Sequence, residues 1–143
     1  MARRADMTDL DALVNLMQRF NEEDRHPYDE LRVRRALEPL LVDNTYGQVW
    51  VVEGPGGLIG YCAVTWSYSL ESGGRECIVD EIYVTTKSAG IGTELLTAGI
   101  NAAREEGVRV AFLETETHNA RARDFYVRHD FEIEDSIWMR RSL

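Results

Sequence analysis

The stretch Val79-Asp-Glu-Ile-Tyr-Val84, Thr85-Thr-Lys87, Ser88-Ala-Gly90-Ile-Gly92-Thr-Glu-Leu-Leu96 decides how the rest of the chain is read. An apolar, β-branched run passes through a short polar loop into two glycines, and from there into helical periodicity. Ile91, Leu95, Leu96, Ala98, Ile100 and Ala103 predict a helix over 90–106, with Gly107 ending it. A helix opened by glycines points unpaired N–H groups and the positive end of its dipole at whatever lies ahead. That is an anion site, phosphate above all, and glycine lets the backbone approach closely. A dinucleotide fingerprint is excluded because its third glycine position is Leu95, and no Walker A lysine motif is present.

Working outward, three strands are predicted over 47–53, 58–69 and 76–84, joined by the turns Gly54-Pro-Gly-Gly57 and Glu71-Ser-Gly-Gly74. Turns that short make an antiparallel meander. Before it, residues 2–6 predict a short first strand. Thr8 with Asp11 opens a helix over 9–21, whose apolar face is Leu10, Leu13, Val14, Leu16, Met17 and Phe20. A second helix is predicted over 29–42, with a break or kink near Glu38 caused by Pro39. After the glycine helix, a strand over 108–114 can lie parallel to its predecessor, because a helix intervenes. A short helix over 119–129 and a last strand over 131–140 complete the chain. The fold class is α+β: a mixed, mostly antiparallel sheet flanked by about four helices, with residues 1–143 as one domain.

The chain has 143 residues, a length suited to one domain with one core. Its 16 Lys and Arg stand against 25 Asp and Glu, a net charge of −9. That balance argues against nucleic acid and anionic membranes as partners, and favours cationic ones, amines among them. No apolar run reaches the ~20 residues of a membrane helix, and no leader is recognised. Cys62 and Cys77 lie in strand-like runs without metal spacing and read as buried thiols. No metal site is expected, and His26, His118 and His129 have no ligand spacing. The expected location is cytoplasmic.

Two motifs resemble those of the GNAT superfamily of acetyl-CoA-dependent N-acetyltransferases. Its Gln/Arg-x-x-Gly-x-Gly/Ala signature is matched by Lys87-Ser-Ala-Gly90-Ile-Gly92, and its Asn-x-x-Ala-x-x-Phe-Tyr signature by Asn119-Ala-Arg-Ala122-Arg-Asp-Phe125-Tyr126. The predicted order of elements is similar to the family fold over nearly the whole chain. Three departures stand out. Lys87 replaces Arg or Gln, the loop over 84–87 is shorter than the common form, and Asp130 precedes Phe131 where the family often has glycine. Asp tolerates the left-handed backbone glycine would adopt there.

The resemblance implies acetyl transfer from acetyl-CoA to a primary amine. The coenzyme phosphates would meet Lys87, Ser88, Ala89, Gly90, Ile91, Gly92 and Thr93. The pantetheine chain would pair with the backbone of Ile82, Tyr83 and Val84 almost as an added strand. An amine must lose a proton to attack, so a carboxylate base is needed, and Asp80 and Glu81 are the candidates. Neighbours on a strand face opposite ways unless a bulge intervenes. The family carries such a bulge here, and Glu81 is slightly favoured. Asn119, Ala122 and Tyr126, spaced three and four apart, share a helix face. Asn119 would hydrogen-bond pantetheine, Ala122 would let it pass, and Tyr126 would protonate the departing thiolate.

The acceptor is implied to lie between the first two helices, where Glu22, Glu23 and Asp24 cluster, with Glu114 and Glu116 further on and Tyr28, Trp66 and Tyr68 as an aromatic wall. Such a mouth suits a small cationic amine or a peptide. Homodimers occur in the family. The alternative is a non-catalytic acyl-CoA-binding sensor of the same fold, for which the shortened loop argues.

Overall fold

The computed structural model describes residues 1–87 and 90–143, so the expectations for Ser88 and Ala89 lie outside the described residues. The chain divides into two units, Met1–Leu113 and Glu114–Leu143.

The first unit begins with β1 (Ala2–Arg4) and a 3-10 turn at Met7–Asp9, then α1 (Leu10–Glu23) and α2 (Glu30–Val42). The helix α1 starts at Leu10, one residue after the expected position, and the side-chain cap lies upstream of Thr8, on the 3-10 turn. Asp6 accepts the Thr8 N–H at 2.9 Å, and Asp9 accepts the Asp6 N–H at 3.0 Å, a reciprocal cap on the turn that leads into the helix. Leu13, Val14, Leu16 and Met17 form the buried stripe. Asp29 caps α2 by accepting from the Arg32 N–H at 3.2 Å. Pro39 does not end α2, which continues to Val42. Pro39 leaves the carbonyl one turn back without its donor, and Arg35 there is exposed, while Leu37 and Leu41 hold the helix by their burial.

β2 (Gly47–Gly54), β3 (Gly57–Ser69) and β4 (Gly74–Val84) form the expected meander, and α3 (Ile91–Glu105) leads to β5 (Val110–Phe112). The strand order is β1-β2-β3-β4-β5, all pairs antiparallel except β4 with β5, which is parallel as expected. Gly107 takes φ +78° directly after α3, the left-handed stop its position predicts. One sheet face carries Val49, Val51, Tyr61, Ala63 and Tyr83 against α1 and α2. The other packs on α3 so closely that a side chain on Gly99 would come within 3.0 Å of Val64 and 3.2 Å of Cys62. Cys62 and Cys77 are free and buried, and burial pushes the Cys62 thiol up to about 12 and the Cys77 thiol up to about 11.

Arg3 ties β1 to the turn. It donates to both Asp9 carboxylate oxygens, at 2.9 and 2.8 Å, and to Glu53 at 2.7 Å. The Arg3 contacts hold the Asp9 carboxyl below its ordinary value of 3.8, against the opposing effect of burial. A depressed folded value means that the contact stabilises fully above 3.8 and fades as pH falls through the lower folded value. Asp9→Asn is expected to cost about 1–2 kcal/mol at pH 7, a figure reduced for the half-exposed Arg3. Urea unfolding at a series of pH values should show the gap to wild type closing below about pH 4. A gap constant down to pH 2 would contradict the assignment.

The second unit holds α4 (Ala120–Val127) and no strand among its described residues. The strand expected over 131–140 is not formed, and Ile133, Ile137, Trp138 and Met139 are exposed. Its alternating pattern is that of a strand, but a strand's backbone groups need a neighbouring strand, and this unit contains none. Asp130 takes φ +69°, the left-handed conformation expected of it.

Candidate active site

β3 and β4 fall out of register between Ala63 and Val64: Ala63 opposes Glu81, and Val64 opposes Val79. Asp80 is therefore the extra residue of a β-bulge, and it is exposed. Glu81 is half-buried on the Tyr61 and Tyr83 side of the sheet. The Tyr61 hydroxyl donates to Glu81 Oε1 at 2.7 Å. Burial raises the Glu81 carboxyl above its ordinary value, the Tyr61 hydrogen bond pulls it partly back, and the Asp80 charge adds to the rise.

β4 pairs with β5 only at Glu76, Cys77 and Ile78. Beyond them β4 pairs with β3 alone among the described residues, so the backbone of Ile82, Tyr83 and Val84 has one side without a strand partner. Lys87 beyond is exposed. Gly90, with φ +72°, precedes the first turn of α3 and, having no side chain, makes no side-chain cap to it. A Cβ at Gly90 would meet no atom of the described residues within 4 Å, so the direction in which a side chain would point is open among them. Ile91, Gly92 and Thr93 form the first turn of α3.

The acidic cluster divides by partner. Glu23 accepts from the Tyr83 hydroxyl at 2.7 Å, Glu22 accepts from Gln18 at 3.3 Å, and Asp24 pairs with His26 at 3.2 Å. Tyr28 packs against the core and donates to the Val14 carbonyl at 3.3 Å, and the Trp66 indole donates to the Asn44 carbonyl at 3.0 Å. Both rings thus carry structural contacts. In the second unit the Asn119 side chain accepts from the Ala122 N–H at 3.1 Å and caps α4, which leaves its amide nitrogen as the donor. Tyr126 is half-buried and meets Phe125 and Phe131 edge-on, with centroids 5.2 and 5.7 Å away. Glu114 is exposed.

Sequence reasoning missed both phenol–carboxylate pairs, Tyr61 with Glu81 and Tyr83 with Glu23. The alternation of β3 put Tyr61 on one face or the other, but only the register across two strands says which residue it meets.

The sequence model of the Acetyltransferase (GNAT) family matches residues 10–131. The chain belongs to that family. An uncharacterized N-acetyltransferase of Bacillus subtilis, YhfO, is 27% identical to this acetyltransferase over 132 residues, covering 91% of this chain and 88% of that one. An integron cassette protein from the mobile metagenome of Cole Harbour Salt Marsh, HFX_CASS3, superposes with a TM-score of 0.88 at 26% identity, over 99% of this chain and 90% of that one. The aminoglycoside N-acetyltransferase AAC(6')-Iy, solved in complex with CoA, has a TM-score of 0.86 at 15% identity, over 99% and 93% of the two chains, and shares the fold with this acetyltransferase. No helix among the described residues is long and apolar enough to cross a membrane.

Proposed function

We propose that this acetyltransferase moves an acetyl group from acetyl-CoA to a primary amine of a small cationic molecule or a peptide. The observation that carries the reading is the Asp80 bulge. It turns Glu81 to the α1–α2 side of the sheet on the stretch of β4 that lacks a second strand partner, just ahead of the glycine-opened helix. These residues fit the coenzyme: a peptide-like arm can pair with the open backbone of Ile82 to Val84, and the space in front of Gly90 admits phosphate. Acetyl-CoA, when bound, supplies an acetyl group activated as a thioester. Glu81 takes a proton from the acceptor's ammonium group, directly or through a water, and the neutral amine then attacks the thioester carbonyl. Burial brings its basicity nearer to neutral pH, where such a base works best. A backbone N–H of β4 stabilises the negative charge that grows on the acetyl oxygen. Tyr126 returns a proton to the departing thiolate. A phenol is a weak acid of much the same class as a thiol, which suits that late transfer. The net charge of −9 and the carboxylates of Glu22, Glu23 and Asp24 favour a cationic acceptor.

The test is calorimetric titration with acetyl-CoA, desulfo-CoA and ATP, followed by thiol release against a panel of polyamines, aminoglycosides and lysine-rich peptides. Micromolar binding of both CoA compounds, weak ATP binding and turnover with at least one cationic amine are expected. Binding without turnover on any amine would favour the sensor role, and no binding would remove the coenzyme site.

A further inference from the structure

Tyr61 has no exposed surface and is the largest fully buried side chain among the described residues. A phenylalanine would fill nearly the same volume there. A buried hydroxyl is tolerated only where it finds a partner, since losing its water otherwise costs stability. The partner is Glu81 Oε1, at 2.7 Å. The ring itself has little freedom. Its centroid lies 6.2 Å from that of Tyr83, whose ring in turn lies 5.6 Å from Phe20 of α1. Tyr83 is anchored at its far end by the hydrogen bond to Glu23. The Tyr61 hydroxyl is thus a fixed donor aimed at one carboxylate oxygen.

We propose that Tyr61 is the positioning residue of the reaction: it holds the Glu81 carboxylate in one rotamer and keeps it ionised in its half-buried site. The proposal rests on the reading of Glu81 as the base. A carboxylate on a flexible side chain must be held in line with the amine for proton transfer to be efficient. It must also stay charged before the amine arrives, although burial and the neighbouring Asp80 both favour its protonated form. The Tyr61 hydroxyl opposes both tendencies with a charge-assisted hydrogen bond. Of the other titratable groups of this face, Tyr83 acts on Tyr61, and Glu23 and Arg19 of α1 act on Tyr83.

The experiment is a carbon-13 NMR titration of protein labelled at the glutamate carboxyl carbons, with the Glu81 signal assigned by its loss in Glu81→Gln. In Tyr61→Phe the Glu81 midpoint is expected to rise by about one pH unit, the size of a lost charge-assisted bond. With acetyl-CoA and whichever amine the panel yields, the acidic limb of the rate profile should move up by the same amount. Turnover at pH 7 should fall about tenfold, with KM for acetyl-CoA unchanged. An unchanged Glu81 midpoint overturns the proposal. If Tyr61→Phe does not fold, wild-type protein labelled at the tyrosine Cζ carbons decides the matter. The Tyr61 signal should titrate with the Glu81 midpoint, and a Tyr61 signal that ignores it overturns the proposal. The NMR arms need no acceptor, so the two readings fail separately. Coupled titration with full turnover in Glu81→Gln removes the base and, with it, the positioning role. Uncoupled titration with an inactive Glu81→Gln removes Tyr61 alone.

Discussion

Glu81→Gln is expected to lower the rate of acetyl transfer at pH 7 by about 100-fold or more, the range removed with a general base. The affinity for acetyl-CoA should stay within about twofold, because the pantetheine contacts proposed here use the backbone of residues 82–84 and not this side chain. The wild-type rate should rise with pH through the Glu81 midpoint, which lies above the ordinary 4.5, and that limb should vanish in the variant. Stability supplies a control of opposite sign. A carboxyl whose folded value is raised loses stabilisation as pH climbs from 4.5 through the folded value, so at pH 7 the charge destabilises the fold. Glu81→Gln should therefore be at least as stable as wild type at pH 7, and its advantage should disappear below about pH 4.5. The amide oxygen can still accept from Tyr61. A variant that is stable and inactive locates the loss in the chemistry. A variant that is stable and fully active disproves the base.

Gly90→Glu is expected to weaken acetyl-CoA binding by about 100-fold or more in a calorimetric titration. Two effects act together. Gly90 sits at φ +72°, where a residue with a Cβ is strained by about 1–2 kcal/mol. The new carboxylate would project into the open space ahead of α3 and oppose the charge of the coenzyme phosphates there. Gly90→Asn separates the two, because asparagine tolerates the left-handed backbone and carries no charge. It should weaken binding far less. Equal losses in both variants would assign the effect to the backbone. Unchanged affinity in Gly90→Glu would move the phosphates away from this helix.

The fold was legible wherever the signal was local. The apolar stripe of α1, the glycine turns of the meander, Gly90 before α3 and Gly107 after it all read correctly, because each rests on contacts within a few residues. The capping residue is Asp6 and not Thr8, on a 3-10 turn that precedes α1, since Asp and Thr are both good caps and only the hydrogen bonds choose. The strand over 131–140 had the right alternation and no neighbour in its unit. Alternation records which faces differ, whereas a strand exists only by pairing.

Sequence alone thus determined the helices α1 to α4, the meander, the parallel fifth strand, the glycine-opened helix and the family, but not the absence of a strand over 131–140. All of these follow from periodicity, turn chemistry and motif spacing. Only the tertiary structure decided that Asp80 bulges out and Glu81 turns toward α1 and α2. It also decided that Tyr61 meets Glu81 across 20 residues and Tyr83 meets Glu23 across 60. The reason is that side chains on a strand alternate with a period of two. One extra residue in the register reverses every choice beyond it, and register is a property of two strands at once.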